Sequence, residues 1–134
     1  MRVLVADDQA TVRSALPWLL KEQPGFHVVG EVIKAEKLLD QAAAVQPDLV
    51  LLDWELCGLS PALNRAAGQG RRRLLDSLHA LKSRPKVIVL SSRPEMHQAA
   101  LEAGADAFVS KGDPPARLLT ILRATDSVRE RMTK

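Results

Sequence analysis

The sequence holds a single cysteine, Cys57, so no disulfide can form within one chain. That removes the disulfide-stapled small domains and leaves no sign of an oxidising compartment. Tyrosine is absent, and aromatic residues make up 3% of the chain. So few rings exclude the stacked platforms that hold single-stranded nucleic acid. No apolar run approaches the roughly 20 residues of a membrane span. The start, Met1-Arg2-Val3-Leu4-Val5, runs directly into Asp7-Asp8 and lacks the pattern of a signal peptide. No glycine-rich loop follows the first apolar run, which argues against a nucleotide-binding enzyme. What is present is 134 residues, 46% hydrophobic and 26% charged, the make-up of one cytoplasmic globular domain without internal repeats.

The net charge of +3 is unevenly placed. Residues 65–93 carry eight cations and one anion, and the remainder of the chain is net acidic. Arg71, Arg72 and Arg73 stand in the middle of this stretch. Three successive helical positions spread around most of a helix and do not form one stripe. The segment therefore reads as a solvated or partner-facing surface in preference to a DNA-binding one.

Short apolar runs at 3–6, 26–33, 49–52, 87–90 and 105–109 read as strands. Helical spacing marks 11–21, 34–45, 71–83, 95–103 and 113–129. Pro17 should bend or loosen the first helix, Gly104 should close the fourth, and Asp113 should cap the fifth. Residues 57–61 and 66–70 read as loop, with room for a short helical turn between them. Alternating strands and helices predict an α/β fold, a doubly wound parallel sheet with helices on both faces. Such sheets bind ligands at the carboxyl ends of their strands.

The informative polar residues collect at those ends. Asp7 and Asp8 follow the first strand, Asp53 the third, Ser91 the fourth and Lys111 the fifth. Carboxylates brought together resist ionisation unless a cation neutralises them. Oxygen donors of this kind suit Mg²⁺. With an ammonium and a hydroxyl beside them, they form a site for a phosphoryl group, with Asp53 as nucleophile.

Leu4-Val5-Ala6-Asp7-Asp8, Pro47-Asp48-Leu49-Val50-Leu51-Leu52-Asp53, Val87-Ile88-Val89-Leu90-Ser91-Ser92, Ala103-Gly104-Ala105-Asp106-Ala107-Phe108 and Phe108-Val109-Ser110-Lys111 together resemble a response-regulator receiver domain of two-component signalling. Asp8-Gln9, Val12-Arg13 and Val28-Val29-Gly30-Glu31 look most similar to receivers of the nitrate-regulator type, which precede a helix-turn-helix domain. The resemblance implies a five-stranded sheet in the order 2-1-3-4-5 and a single receiver domain over 1–134, with no effector domain in the chain. It implies that Asp53 accepts phosphate from a sensor histidine kinase. Mg²⁺ would be held by Asp8 and Asp53 directly, by Asp7 through water and by the backbone carbonyl of Glu55. Lys111 would pair with the phosphate, and Ser91 and Phe108 would form the switch. The fourth helix, fifth strand and fifth helix would be the output face. That face would act on an effector domain or downstream protein, with DNA reached only through the effector and no membrane contact. A phosphorylation-dependent dimer fits the same family. The chain would catalyse only its own phosphorylation and dephosphorylation, so it is not expected to be an enzyme in the ordinary sense.

Several positions depart from the family pattern. Cys57 stands where proline is usual, and is expected to be a small packing residue. Lys111 is followed by Gly112, which excludes a cis-proline there. The stretch from Asp53 to Ser91 is longer than usual, which places an insertion around 57–70. Glu55 and Arg93 occupy positions that in the family modulate phosphate lifetime, and they are expected to pair across the site mouth. Trp54, beside Asp53, is expected to report on the site. The competing expectations are a receiver that binds partners without phosphate and an unrelated enzyme on the same fold.

Overall fold

Strand side chains alternate between two faces, and in this chain both faces are apolar. Leu4, Val50, Leu52, Val87 and Val89 point into one core, where Leu38, Leu75 and Leu78 meet them. Val3, Val5, Leu49, Leu51, Ile88 and Leu90 point into a second, with Leu16, Leu20, Leu118 and Leu122. This two-sided burial is what makes a central parallel sheet with helices on both sides.

A computed structural model describes residues 1–21, 23–56 and 67–133. The strands are β1 (Arg2–Ala6), β2 (His27–Val32), β3 (Leu49–Asp53), β4 (Lys86–Ser91) and β5 (Ala107–Ser110). The helices are α1 (Ala10–Lys21), α2 (Ala35–Val45), α3 (Ala67–His79), α4 (His97–Glu102) and α5 (Pro115–Thr133). All strand pairs are parallel, in the order β2-β1-β3-β4-β5. The expected α/β sheet and its order are therefore observed. Strand order reverses between β1 and β3, which opens a crevice at their carboxyl ends.

Some expected boundaries are corrected. Helix α3 begins at Ala67, inside the stretch read as loop, and ends at His79. Beyond it the chain closes a turn, with Arg84 at φ 47° before Pro85. Only four residues of the expected insertion, 67–70, are described, and they are helical; 57–66, with Cys57, lie outside the described residues. A short 3₁₀ turn, Pro94–Met96, precedes α4. Helix α1 runs through Pro17 as one helix. Asp113 does not cap α5; its carboxylate accepts from the Ser110 N–H at 3.2 Å, and the helix starts two residues later. Gly104 does end α4, at φ 113°, a conformation that costs glycine little. Among the described residues no helix is long and apolar enough to cross a membrane.

Candidate functional site

Register alone brings the polar residues together. Ala6 pairs with Leu52 across β1 and β3, so Asp7 and Asp53 come next side by side. Asp53 pairs with Leu90, and the Trp54 N–H donates to the Leu90 carbonyl at 2.8 Å. That continuation carries Glu55 alongside the Ser91–Ser92 end of β4. Ser91 pairs with Ser110, and the Lys111 N–H donates to the Ser91 carbonyl at 2.8 Å. The ends of four strands, β1, β3, β4 and β5, thus converge on one edge of the sheet.

Asp7 and Asp53 are 0% and 2% exposed, which is unusual for carboxylates and demands compensation. Lys111 supplies it. Its Nζ lies 2.9 Å from Asp7 Oδ2 and 3.2 Å from Asp53 Oδ1. The same ammonium donates to Gln9 Oε1 at 2.6 Å. Burial lowers the tendency of Lys111 to stay charged, but the two carboxylates outweigh it and its pKa ends above the ordinary value. Burial also raises Asp53, from 3.8 to about 6. The Glu55 N–H and Lys111 pull that value down, and the charge of Asp7 pushes it up.

One ammonium faces three carboxylates. Oxygens of Asp7, Asp8 and Asp53 all lie within 4.8 Å of one another. Asp7 Oδ2 is buried and, although ion-paired with Lys111, accepts no aligned hydrogen bond. The set is all oxygen, carries an excess negative charge and includes an underused buried acceptor. Those properties fit a small hard dication such as Mg²⁺. Asp8 is exposed at the mouth of the group, where a solvated ion would sit.

Ser91 and Phe108, the two positions expected to form a switch, are both buried. Ser91 is fully buried, and its hydroxyl donates to the Glu55 carboxylate, 2.8 and 2.9 Å from the two oxygens. The Ser92 N–H and hydroxyl each reach Glu55 Oε1 at 3.3 Å. The expected pairing of Glu55 with Arg93 is not found. Ser91 and Ser92 occupy the carboxylate, and Arg93 turns outward to Glu95 at 3.1 Å. Phe108 is buried and stacks on the His97 ring at the start of α4, with centroids 5.0 Å apart.

Three residues with direct contacts here were given no place in the site from sequence: Gln9, His97 and Arg71. Arg71 is half-buried, whereas Arg72 and Arg73 beside it are exposed. Its guanidinium lies 4.7 Å above the Trp54 ring. It also donates twice to the Trp54 carbonyl, at 3.0 and 3.2 Å. Only the position of α3 against the β3–α3 turn could have revealed this.

The family model for the response regulator receiver domain matches residues 3–123. Among curated proteins, a protein-glutamate methylesterase/protein-glutamine glutaminase of Methanospirillum hungatei is 32% identical over 115 residues, covering 83% of this chain and 31% of that protein. The nitrate/nitrite response regulator protein NarL of Escherichia coli is 30% identical over 122 residues, covering 90% of this chain and 52% of that protein. The chain thus spans about a third of the first relative's length and about half of the second's. The response regulatory domain of protein mrkE from Klebsiella pneumoniae superposes with a TM-score of 0.75 at 18% identity, covering 98% of this chain and 99% of that one. That likeness is one of fold.

Proposed function

We propose that this chain, which belongs to the response regulator receiver domain family, takes a phosphoryl group onto Asp53 and passes the resulting change to an effector. The observation that carries this reading is Lys111 set 2.9 Å from Asp7 and 3.2 Å from Asp53, beside three converging carboxylates. In the proposed step an Asp53 oxygen attacks the phosphorus of a kinase phosphohistidine. A P–O bond forms and the P–N bond breaks. The bonding pair stays on the imidazole nitrogen, which takes up a proton. Asp8 and Asp53 would hold Mg²⁺ directly, Asp7 through water and Glu55 through its carbonyl; bound there, the ion supplies charge neutralisation for the transferring oxygens. Lys111, ion-paired with Asp7 and Asp53, would add its positive charge to the same oxygens. Ser91 then turns its hydroxyl to the phosphoryl group, and Phe108 follows within the face made by α4, β5 and α5. Glu55 and Arg93 modulate the phosphate lifetime, Glu55 through its hold on Ser91. The only chemistry proposed for the chain is its own phosphorylation and dephosphorylation. The similarity to NarL supports an effector that controls transcription.

Acetyl phosphate labelled with ³²P tests the reading. With Mg²⁺, the wild-type chain is expected to take up label as an alkali-labile acyl phosphate, and Asp53→Asn is not. A wild-type chain that takes no label would instead be a receiver that signals by contact alone.

A further inference from the structure

Residues 53–56 form a tight turn, closed by the Leu56 N–H donating to the Asp53 carbonyl at 3.1 Å. The central peptide of such a turn, here Trp54–Glu55, is its weak point. Turns of types I and II differ by a flip of that one peptide. Type II needs positive φ at Glu55, and among the described residues positive φ outside glycine occurs only at Gln46 and Arg84. The unflipped form therefore holds. In it the Glu55 N–H donates to Asp53 Oδ1 at 3.0 Å. Lys111 binds the same oxygen. Among the described residues both donors share Oδ1, and Oδ2 takes neither.

The opposite end of that peptide is held by Arg71. Two N–H groups of its guanidinium converge on the Trp54 carbonyl, and the Trp54 ring supports the cation from below. A flipped peptide would break both bonds to Arg71. It would also turn a carbonyl oxygen toward the Asp53 carboxylate. We propose that Arg71 is a positioning residue for phosphoryl transfer: by gripping the Trp54 carbonyl it fixes the Trp54–Glu55 peptide, whose N–H engages one oxygen of Asp53 and leaves the other to attack. Arg71 touches neither the nucleophile nor the donor. Its role is distinct from that of its exposed neighbours Arg72 and Arg73, so the basic stretch divides into an inward-facing anchor and an outward-facing surface.

The role rests on the phosphoacceptor reading above, and the test separates the two. Arg71→Gln and Arg71→Lys are compared with wild type in acetyl phosphate labelling with Mg²⁺, with amide hydrogen exchange at Glu55 measured in parallel. For Arg71→Gln the rate at saturating acetyl phosphate should fall about tenfold, while the half-saturating concentration changes by less than about twofold. The Glu55 amide should exchange roughly tenfold faster. Arg71→Lys, with the charge but not the fork, should recover part of both effects. If Arg71→Gln does not fold, Arg71→Lys alone decides, through the same two readouts. A wild-type rate and an unchanged Glu55 amide in the variants would overturn the role. So would a loss confined to the half-saturating concentration, which would make Arg71 a donor-binding residue. A wild-type chain that takes no label would overturn the phosphoacceptor reading itself, and the role with it.

Discussion

The Ser91 hydroxyl donates a hydrogen bond to the Glu55 carboxylate: Oγ lies 2.8 and 2.9 Å from its two oxygens. Asp53 pairs with Leu90 and the Trp54 N–H donates to the Leu90 carbonyl, so the turn after β3 carries Glu55 alongside the end of β4, where its side chain reaches Ser91 and Ser92. The residue proposed to sense a phosphoryl group is therefore already bound to an anion. A phosphoryl group on Asp53 has to win Ser91 from Glu55. On the proposed reading Ser91 is a two-state element, and Glu55 biases it toward the unphosphorylated state.

Removing that competitor should favour the phosphorylated-like state. Hydrogen bonds to charged groups contribute about 1.5–3 kcal/mol, and about 1.4 kcal/mol corresponds to tenfold in affinity. Glu55→Ala should bind beryllofluoride about tenfold more tightly than wild type in the presence of Mg²⁺. The backbone carbonyl expected to serve the metal is untouched by this change. Titration followed by Trp54 fluorescence measures it, and equal affinities would show that the Ser91–Glu55 bond does not oppose the switch.

Burial of Asp53 has a thermodynamic signature. Its pKa is raised from 3.8 to about 6 in the folded chain. The folded state then binds this proton more tightly than the unfolded state does. Stability from this group is greatest below pH 3.8, declines as pH rises to about 6, and stays low above it. Asp53→Asn removes the penalty. In EDTA, the variant should exceed wild type by about 2 kcal/mol at pH 7.5 and by less than half of that at pH 4.5. Urea denaturation at the two pH values checks this; a gain independent of pH would assign it to packing instead.

Trp54 should report occupancy of the site. Trp54 is 3% exposed and its ring lies under the Arg71 guanidinium, one residue from Asp53. Addition of Mg²⁺, and then of beryllofluoride, is expected to change its emission. The signal should survive in Trp18→Phe, because the other tryptophan is 69% exposed on α1. A response lost with Trp18 would place the change on α1, away from Asp53.

The fold was legible because β1, β3, β4 and β5 are apolar runs followed directly by polar residues. Asp7, Asp53, Ser91 and Lys111 could be placed on one edge by topology alone. The partners of those residues could not. Arg71 looked like one of three surface arginines, since sequence does not reveal which side of α3 meets the Trp54–Glu55 turn. Glu55 and Arg93 looked like a pair across the mouth. That expectation ignored nearer options: two serine donors for Glu55, and Glu95 just beyond Pro94 for Arg93. The start of α3 was missed because Ala67-Gly68-Gln69-Gly70 has weak helix propensity of its own.

Lys111 links stability to function most directly. It is the ammonium between two buried carboxylates, Asp7 and Asp53. Lys111→Met keeps much of the stem and removes the charge. The carboxylates then repel each other without compensation, and breaking such a pair costs about 3 kcal/mol. Protonation of Asp53 relieves the repulsion, so the loss should be large at pH 7.5 and small near pH 4.5. Adding Asp53→Asn to Lys111→Met should restore most of the lost stability, because the two sites are in contact and their effects are not additive. Phosphorylation by acetyl phosphate should fall to the level of Asp53→Asn in the single Lys111→Met variant. Urea denaturation at both pH values, run beside the labelling assay, measures the two effects on the same samples. A stability loss that does not change with pH would mean that Lys111 supports the fold by packing, and not by neutralising the Asp7–Asp53 pair.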